Sequence, residues 1–85
     1  MRYSVWNHVQ AEMKKLGFKD QGLALDYTKR RILRNRDLMY RYSSEHTAFC
    51  EYHSDSAPYF SPYVIVKFKD GHLKRVHLKS LEIVI

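Results

Sequence analysis

Apolar residues at Trp6, Val9, Met13 and Leu16 recur at steps of three, four and three, which places them on one side of a helix. The spacing predicts a helix over residues 4–16 with Ser4 as its N-cap and Gly17 in the left-handed position that ends it, Phe18 folding back on Met13. A second helix is predicted from Asp20 or Gly22 to about Asn35. If its period runs on, Leu25, Thr28, Ile32 and Met39 fall within a stripe about 60° wide at about 100° per residue. Tyr27, Arg30, Arg34 and Arg41 then take the opposite side, with Arg31 at its edge. Lys29 and Arg36 flank the apolar stripe, where their stems could cover it while their charges reach water.

After residue 37 the period changes to two. "DLMYRYSSEHTAFCEY" alternates at Leu38, Tyr40 and Tyr42 before a polar Ser-Ser-Glu-His turn, the pattern of a hairpin. "HSDSAPYFSPY" holds two prolines and three serines and reads as a loop or irregular edge. "YVIVKFK", "HLKRVHL" and "LEIVI" follow as strands, with Asp70-Gly71 as the turn between the first two. A two-residue turn there would put Val66 opposite Arg75. A one-residue bulge or an equivalent longer loop would keep apolar residues together, pairing Val66 with Val76 and Val64 with Leu78. The final strand could lie in the core or form an edge that pairs with a second copy.

The predicted architecture is α+β: one domain spanning 1–85, helical over about 4–35 and β over about 38–85. Two N-terminal helices pack on a small antiparallel C-terminal sheet of about five strands. The last three strands resemble part of an SH3-like barrel, so the sheet could curl in that manner. The glycine pattern of the KOW version of that barrel is missing, since the chain has three glycines.

Composition narrows the class. At 85 residues and 10.2 kDa the chain can enclose one modest core, and 45% hydrophobic residues are enough to fold it. No stretch approaches the roughly 18 apolar residues of a membrane span, and "MRYSVWNHVQ" lacks the apolar centre of a signal peptide, so a soluble, cytoplasmic protein is expected. One cysteine, Cys50, allows no internal disulfide.

Charge changes the picture most. The formal net charge is +6, but residues 43–62 contain no Lys or Arg and carry Glu45, Glu51 and Asp55. Cations therefore gather in two blocks. One is "YTKRRILRNRDLMYRY", with Arg30, Arg31, Arg34, Arg36 and Arg41 set among Tyr27, Tyr40 and Tyr42. The other is Lys67, Lys69, Lys74, Arg75 and Lys79 on the C-terminal strands, and acids able to neutralise either block are scarce nearby in sequence. Cations at repeated spacing suit a nucleic-acid backbone, the Arg fork matches phosphate, and tyrosines can stack on bases. The expected function is binding of RNA or DNA, mainly at phosphates, in an accessory or regulatory role, with Lys67, Lys69, Lys74 and Arg75 assisting the arginines. No motif for base-specific reading is present.

Three other chemistries fit parts of the sequence. "HTAFCEYH" spaces His46, Cys50 and His53 so that on a helix they could grip zinc, with His72 or His77 as a fourth ligand, but the strand pattern divides them and no metal or other cofactor is expected. In size, charge and element order the chain is similar to the RelE-type ribonuclease toxins. That resemblance implies Arg and Lys positioning RNA and polar groups such as His and Tyr moving protons, for which this sequence offers His72, His77, Tyr59 and Tyr63 as candidates. It carries over no catalytic residue, so a non-enzymatic protein is expected. Finally, a basic chain could bind or inhibit an acidic protein, anchored by Tyr52, Tyr59, Phe60 and Tyr63.

Overall fold

The computed structural model describes residues 1–17 and 19–85, so the packing expected of Phe18 lies outside the described residues. Two helices sit on one face of a six-stranded antiparallel sheet. A short strand β1 (Arg2–Ser4) leads directly into α1 (Val5–Leu16), where the Ser4 hydroxyl accepts from the Asn7 N–H at 3.3 Å and Gly17 closes the C-terminus. The helix turns Val5 and Val9 fully inward, with Trp6 and Met13 partly buried beside them. Leu16, expected in that stripe, is exposed, and Val5 takes its share of the core.

Helix α2 (Gln21–Leu33) starts at Asp20, whose carboxylate accepts from the N–H groups of Gly22 and Leu23. It ends earlier than the extended stripe assumes. Arg34 leaves the helix, Asn35 turns the chain at φ 56°, and Met39 and Arg41 become strand residues of β2 (Leu38–Arg41). Arg41 therefore does not share a face with Arg30 and Arg34.

The predicted Ser-Ser-Glu-His turn joins β2 to β3 (Thr47–Asp55), with Tyr40 beside Ala48 and Arg41 beside Thr47. Strand β4 (Tyr63–Phe68) pairs with β3 across a bulge between Tyr52 and Ser54. The turn to β5 (Leu73–His77) is longer than two residues: Phe68 N–H donates to the His72 carbonyl and Gly71 N–H to the Phe68 carbonyl, with Gly71 at φ 93°. Val64 faces Val76 and Val66 faces Lys74. Even-numbered residues stay together as expected, but the strands are offset by two residues from the predicted pairing. Leu78 is unavailable to Val64 because the chain leaves the strand there for a 3-10 turn (Leu78–Ser80), its N–H bound to the Pro62 carbonyl.

Strand β6 (Leu81–Val84) lies between β1 and β2 in the order β1-β6-β2-β3-β4-β5, so "LEIVI" is an inner strand and not an edge. The sixth strand, β1, is too short to register as a period in the sequence. Val64, Val66, Phe68, Val76, Leu81 and Ile83 meet Val5, Val9, Ile32 and Leu33 in one core, which fixes the helix-covered face of the sheet. Among the described residues no helix is long and apolar enough to cross a membrane.

Candidate nucleic-acid interface

Residues 27, 30, 31 and 34 follow the i, i+3, i+4, i+7 spacing of one helix face. Tyr27, Arg30, Arg31 and Arg34 accordingly line one open depression of about 400 Å³ on the outer side of α2. Acids approach them more closely than expected, Asp26 from α2 itself and Asp55 and Glu12 from other elements, which corrects the expectation of scarce neutralising groups. Asp26 binds Arg30 through its Nη2, Asp55 lies 3.6 Å from the Arg30 Nε, and Glu12 of α1 lies 3.7 Å from Arg31. These carboxylates flank the depression without lining it. Arg34 and Arg36 have no acidic partner within ion-pair distance among the described residues.

Beneath this face lies the group that departs furthest from the sequence reading. Lys29 is 0% exposed, so its charge does not reach water. Its Nζ instead donates to the carbonyls of Tyr59 and Ser61, the latter at 2.8 Å, and so fastens the β3–β4 loop to α2. Burial lowers the Lys29 pKa from its ordinary range, opposed by the nearby charges of Asp55 and Asp26. Tyr52 donates to Asp55 at 2.6 Å, and burial together with that bond pushes its phenol well above the usual range. A network of Asp26, Lys29, Arg30, Tyr52 and Asp55 thus holds Arg30 outward while anchoring the loop.

The second basic block does not join the first. Lys67 occupies an alternate position of β4, on the face away from the helices, opposite Glu51. With Lys69, Phe49, Glu51 and Asp37 it lines a larger hollow of about 530 Å³. Two acids line this hollow beside the two lysines, whereas the charged residues that line the α2 depression are all arginines, their carboxylate partners flanking it. Lys69 lies 5.0 Å from the Phe49 ring centre. Arg75 sits over Tyr63, with Cζ 3.8 Å from the ring centre, and donates to Ser56 Oγ at 2.7 Å. Arg41 is taken up by Glu82 at 2.7 Å and by the Ser44 carbonyl.

Of the aromatic candidates, Tyr27 stands with the arginines, whereas Tyr40 and Tyr42 belong elsewhere. Those two rings pack edge to face, Tyr42 also stacks near Phe68, and Lys74 Nζ sits 5.1 and 5.4 Å from their centres. Among the described residues Lys74 is thus the one member of the second block that meets tyrosines predicted to stack on bases.

Other candidate residues scatter. His46 sits in the β2–β3 turn against Ser43, Cys50 faces the core, and His53 bonds Ser54 Oγ. Among the described residues no group of three or more His, Cys, Asp or Glu is arranged to hold a metal ion. Burial, reinforced by Glu51, pushes the Cys50 thiol up to about 11, which keeps it protonated. His72, in the β4–β5 turn, stacks on Phe68, and its ring bonds Asp70. His77 lies at the other end of β5 between Trp6 and Tyr63, its Nδ1 accepting from the Lys79 N–H. At about 3.4 Å per strand residue the two histidines stand roughly 17 Å apart along the strand and cannot share one reacting centre.

Lys29, Asp55 and Glu12 escaped the sequence reading as parts of this site. The signal for Lys29 was its place beside the apolar stripe; its carbonyl partners lie 30 and 32 residues away, beyond any local pattern. In comparison with known proteins, the chain matches no family model, and neither a curated protein nor a solved structure is significantly similar to it.

Proposed function

We propose that this protein binds RNA or DNA through phosphate contacts on the outer face of α2, without catalysing a reaction, and that it does so in the cytoplasm. The observation that carries the reading is the depression lined by Tyr27, Arg30, Arg31 and Arg34, in which every charged lining residue is an arginine. Guanidinium groups at helical spacing present several forks to one chain of phosphates. Arg30 is oriented by Asp26 and Asp55, which limits the side-chain entropy lost on binding. Lys67, Lys69, Lys74 and Arg75 contribute to the general positive field and only weakly to the contact, because they lie on other faces. Titration of the purified chain against short single- and double-stranded RNA and DNA at two salt concentrations tests this. Affinity that falls steeply with salt is expected; absence of binding at low salt removes the proposal.

A further inference from the structure

The tyrosine- and proline-rich loop after β3 and the arginine face of α2 are far apart in sequence, yet the fold sets them side by side. Ser61 N–H donates to the Pro58 carbonyl at 2.9 Å, closing a β-turn whose two central residues are Tyr59 and Phe60. Both rings stand out in solvent, 53% and 51% exposed, packed edge to face with centres 5.5 Å apart. The turn itself is held from below. The buried Lys29 ammonium donates to the carbonyls on either side of Phe60, and Phe60 Cβ rests against Gly22 so closely that a methyl group there would stand 3.2 Å from it. Gly22 and Lys29 are where α2 meets the loop, and Arg30, next to Lys29 and bound to Asp55 at the end of β3, lines the arginine depression. Tyr27, 48% exposed, lines the depression beside the arginines.

From this juxtaposition we infer that the α2 face takes single-stranded nucleic acid, with Tyr59 and Phe60 stacking its bases while Arg30, Arg31 and Arg34 hold its phosphates. The inference rests on the functional proposal above and goes one step further, to the form of nucleic acid. Paired bases show only their edges in the grooves, so exposed aromatic faces next to a phosphate track have nothing to stack on in a duplex. An unpaired strand offers a ring face at every nucleotide, and stacking needs no sequence motif. A rigid turn presenting two rings, next to a run of arginines, matches that ligand in both charge and shape.

The test uses the whole chain and three labelled probes: a single strand of about ten nucleotides, its duplex, and a strand with the same phosphates in which the bases are replaced by abasic sites. The single strand is expected to bind about tenfold or more tighter than the abasic strand and the duplex. Tyr59→Ala combined with Phe60→Ala should bring single-strand affinity down to the abasic level while leaving its salt dependence intact. Equal binding of the single and abasic strands by the wild-type chain, a preference for duplex, or an unchanged double variant overturns the inference. In each of those cases salt-dependent binding leaves the functional proposal standing. Failure to bind any probe at low salt removes both. The first comparison needs no variant, so it holds even if the double substitution disturbs the turn.

Discussion

Two regions of this small protein carry cations and aromatic rings together, and they use them in opposite ways. Around α2 the rings of Tyr59 and Phe60 and the guanidinium groups stand outward, while a buried lysine and two aspartates hold them there. Around the β4–β5 hairpin the cations are themselves laid on rings: Lys69 on Phe49, Lys74 on Tyr40 and Tyr42, Arg75 on Tyr63. A cation resting on its own aromatic neighbour is partly satisfied within the fold. The comparison teaches that a count of basic residues misses their arrangement: the cations of the second region lie on separate rings, whereas Arg30, Arg31 and Arg34 line one depression that their carboxylate partners flank.

The largest effect should come from removing the hidden support of the first region. Lys29→Met takes the donor from two loop carbonyls and a positive charge from between Asp26 and Asp55. We expect a loss of about 2–3 kcal/mol, or roughly 10 °C or more in Tm for a chain of this size, measured by thermal denaturation. Its pH dependence sharpens the point. The folded-state pKa of Lys29 lies below the ordinary 10.5, so within the interval between them the unfolded chain binds more protons. That contribution to stability therefore grows as pH rises through the interval and is lost as pH falls through it. Cys50, whose thiol moves from 9.0 to about 11, acts with the opposite sign over its own range, as does Tyr52. The difference between wild type and Lys29→Met, followed by denaturant titration across alkaline pH, isolates the lysine. A variant as stable as the parent, with the same pH slope, would break the claim that this side chain supports the loop.

Next in size is the binding contrast itself. Arg30 is tied to Asp26 and Asp55, so its reversal would damage the fold as well as the contact; Arg31 and Arg34 are the cleaner pair. Arg31→Glu with Arg34→Glu should weaken binding about thirtyfold, about 2 kcal/mol, and flatten the salt dependence by about 1.4 in the logarithmic slope for a single strand. Lys67→Glu with Lys69→Glu removes as much formal charge, yet its residues line a hollow already balanced by Asp37 and Glu51. It should change affinity by less than about threefold. Equal losses from the two double variants, read in the same anisotropy titration, would erase the distinction between the regions.

The sequence showed this contrast only in part, for reasons that follow from range. Helix α1, the start of α2, the β2–β3 hairpin and the grouping of Val64, Val66 and Val76 rest on local periodicity and turn chemistry, and these were legible. Tyr27, Arg30, Arg31 and Arg34 were legible as one face for the same reason. Arg41 was misplaced because the helical period was carried past Leu33, where Asn35 breaks it. Lys29 was read as reaching water because a flexible stem beside an apolar stripe usually does; only the return of the chain at Tyr59 and Ser61 supplies partners that make burial tolerable. The offset of β5 by two residues, which sets Lys74 opposite Val66, depended on loop geometry around Gly71.

The smallest effect tests that last placement. Lys74 shares a register row with Val66, on the face of the sheet that the helices cover elsewhere, yet it is exposed because the sheet extends beyond them there. Its ammonium, near two ring faces, gains about 0.5–1 kcal/mol at most in so open a site. Lys74→Met keeps a long stem to cover the rings, so it removes the charge while retaining most of the packing. Thermal denaturation should therefore fall by only a few degrees, and nucleic-acid affinity should change by less than a factor of two once overall charge is allowed for by comparison with Lys14→Met. A larger loss of binding from Lys74→Met than from Lys14→Met would mean that Tyr40, Tyr42 and Lys74 touch the ligand directly. The hairpin end would then join α2 as a contact surface, and the comparison between an outward-facing and a self-satisfied cluster would have to be redrawn.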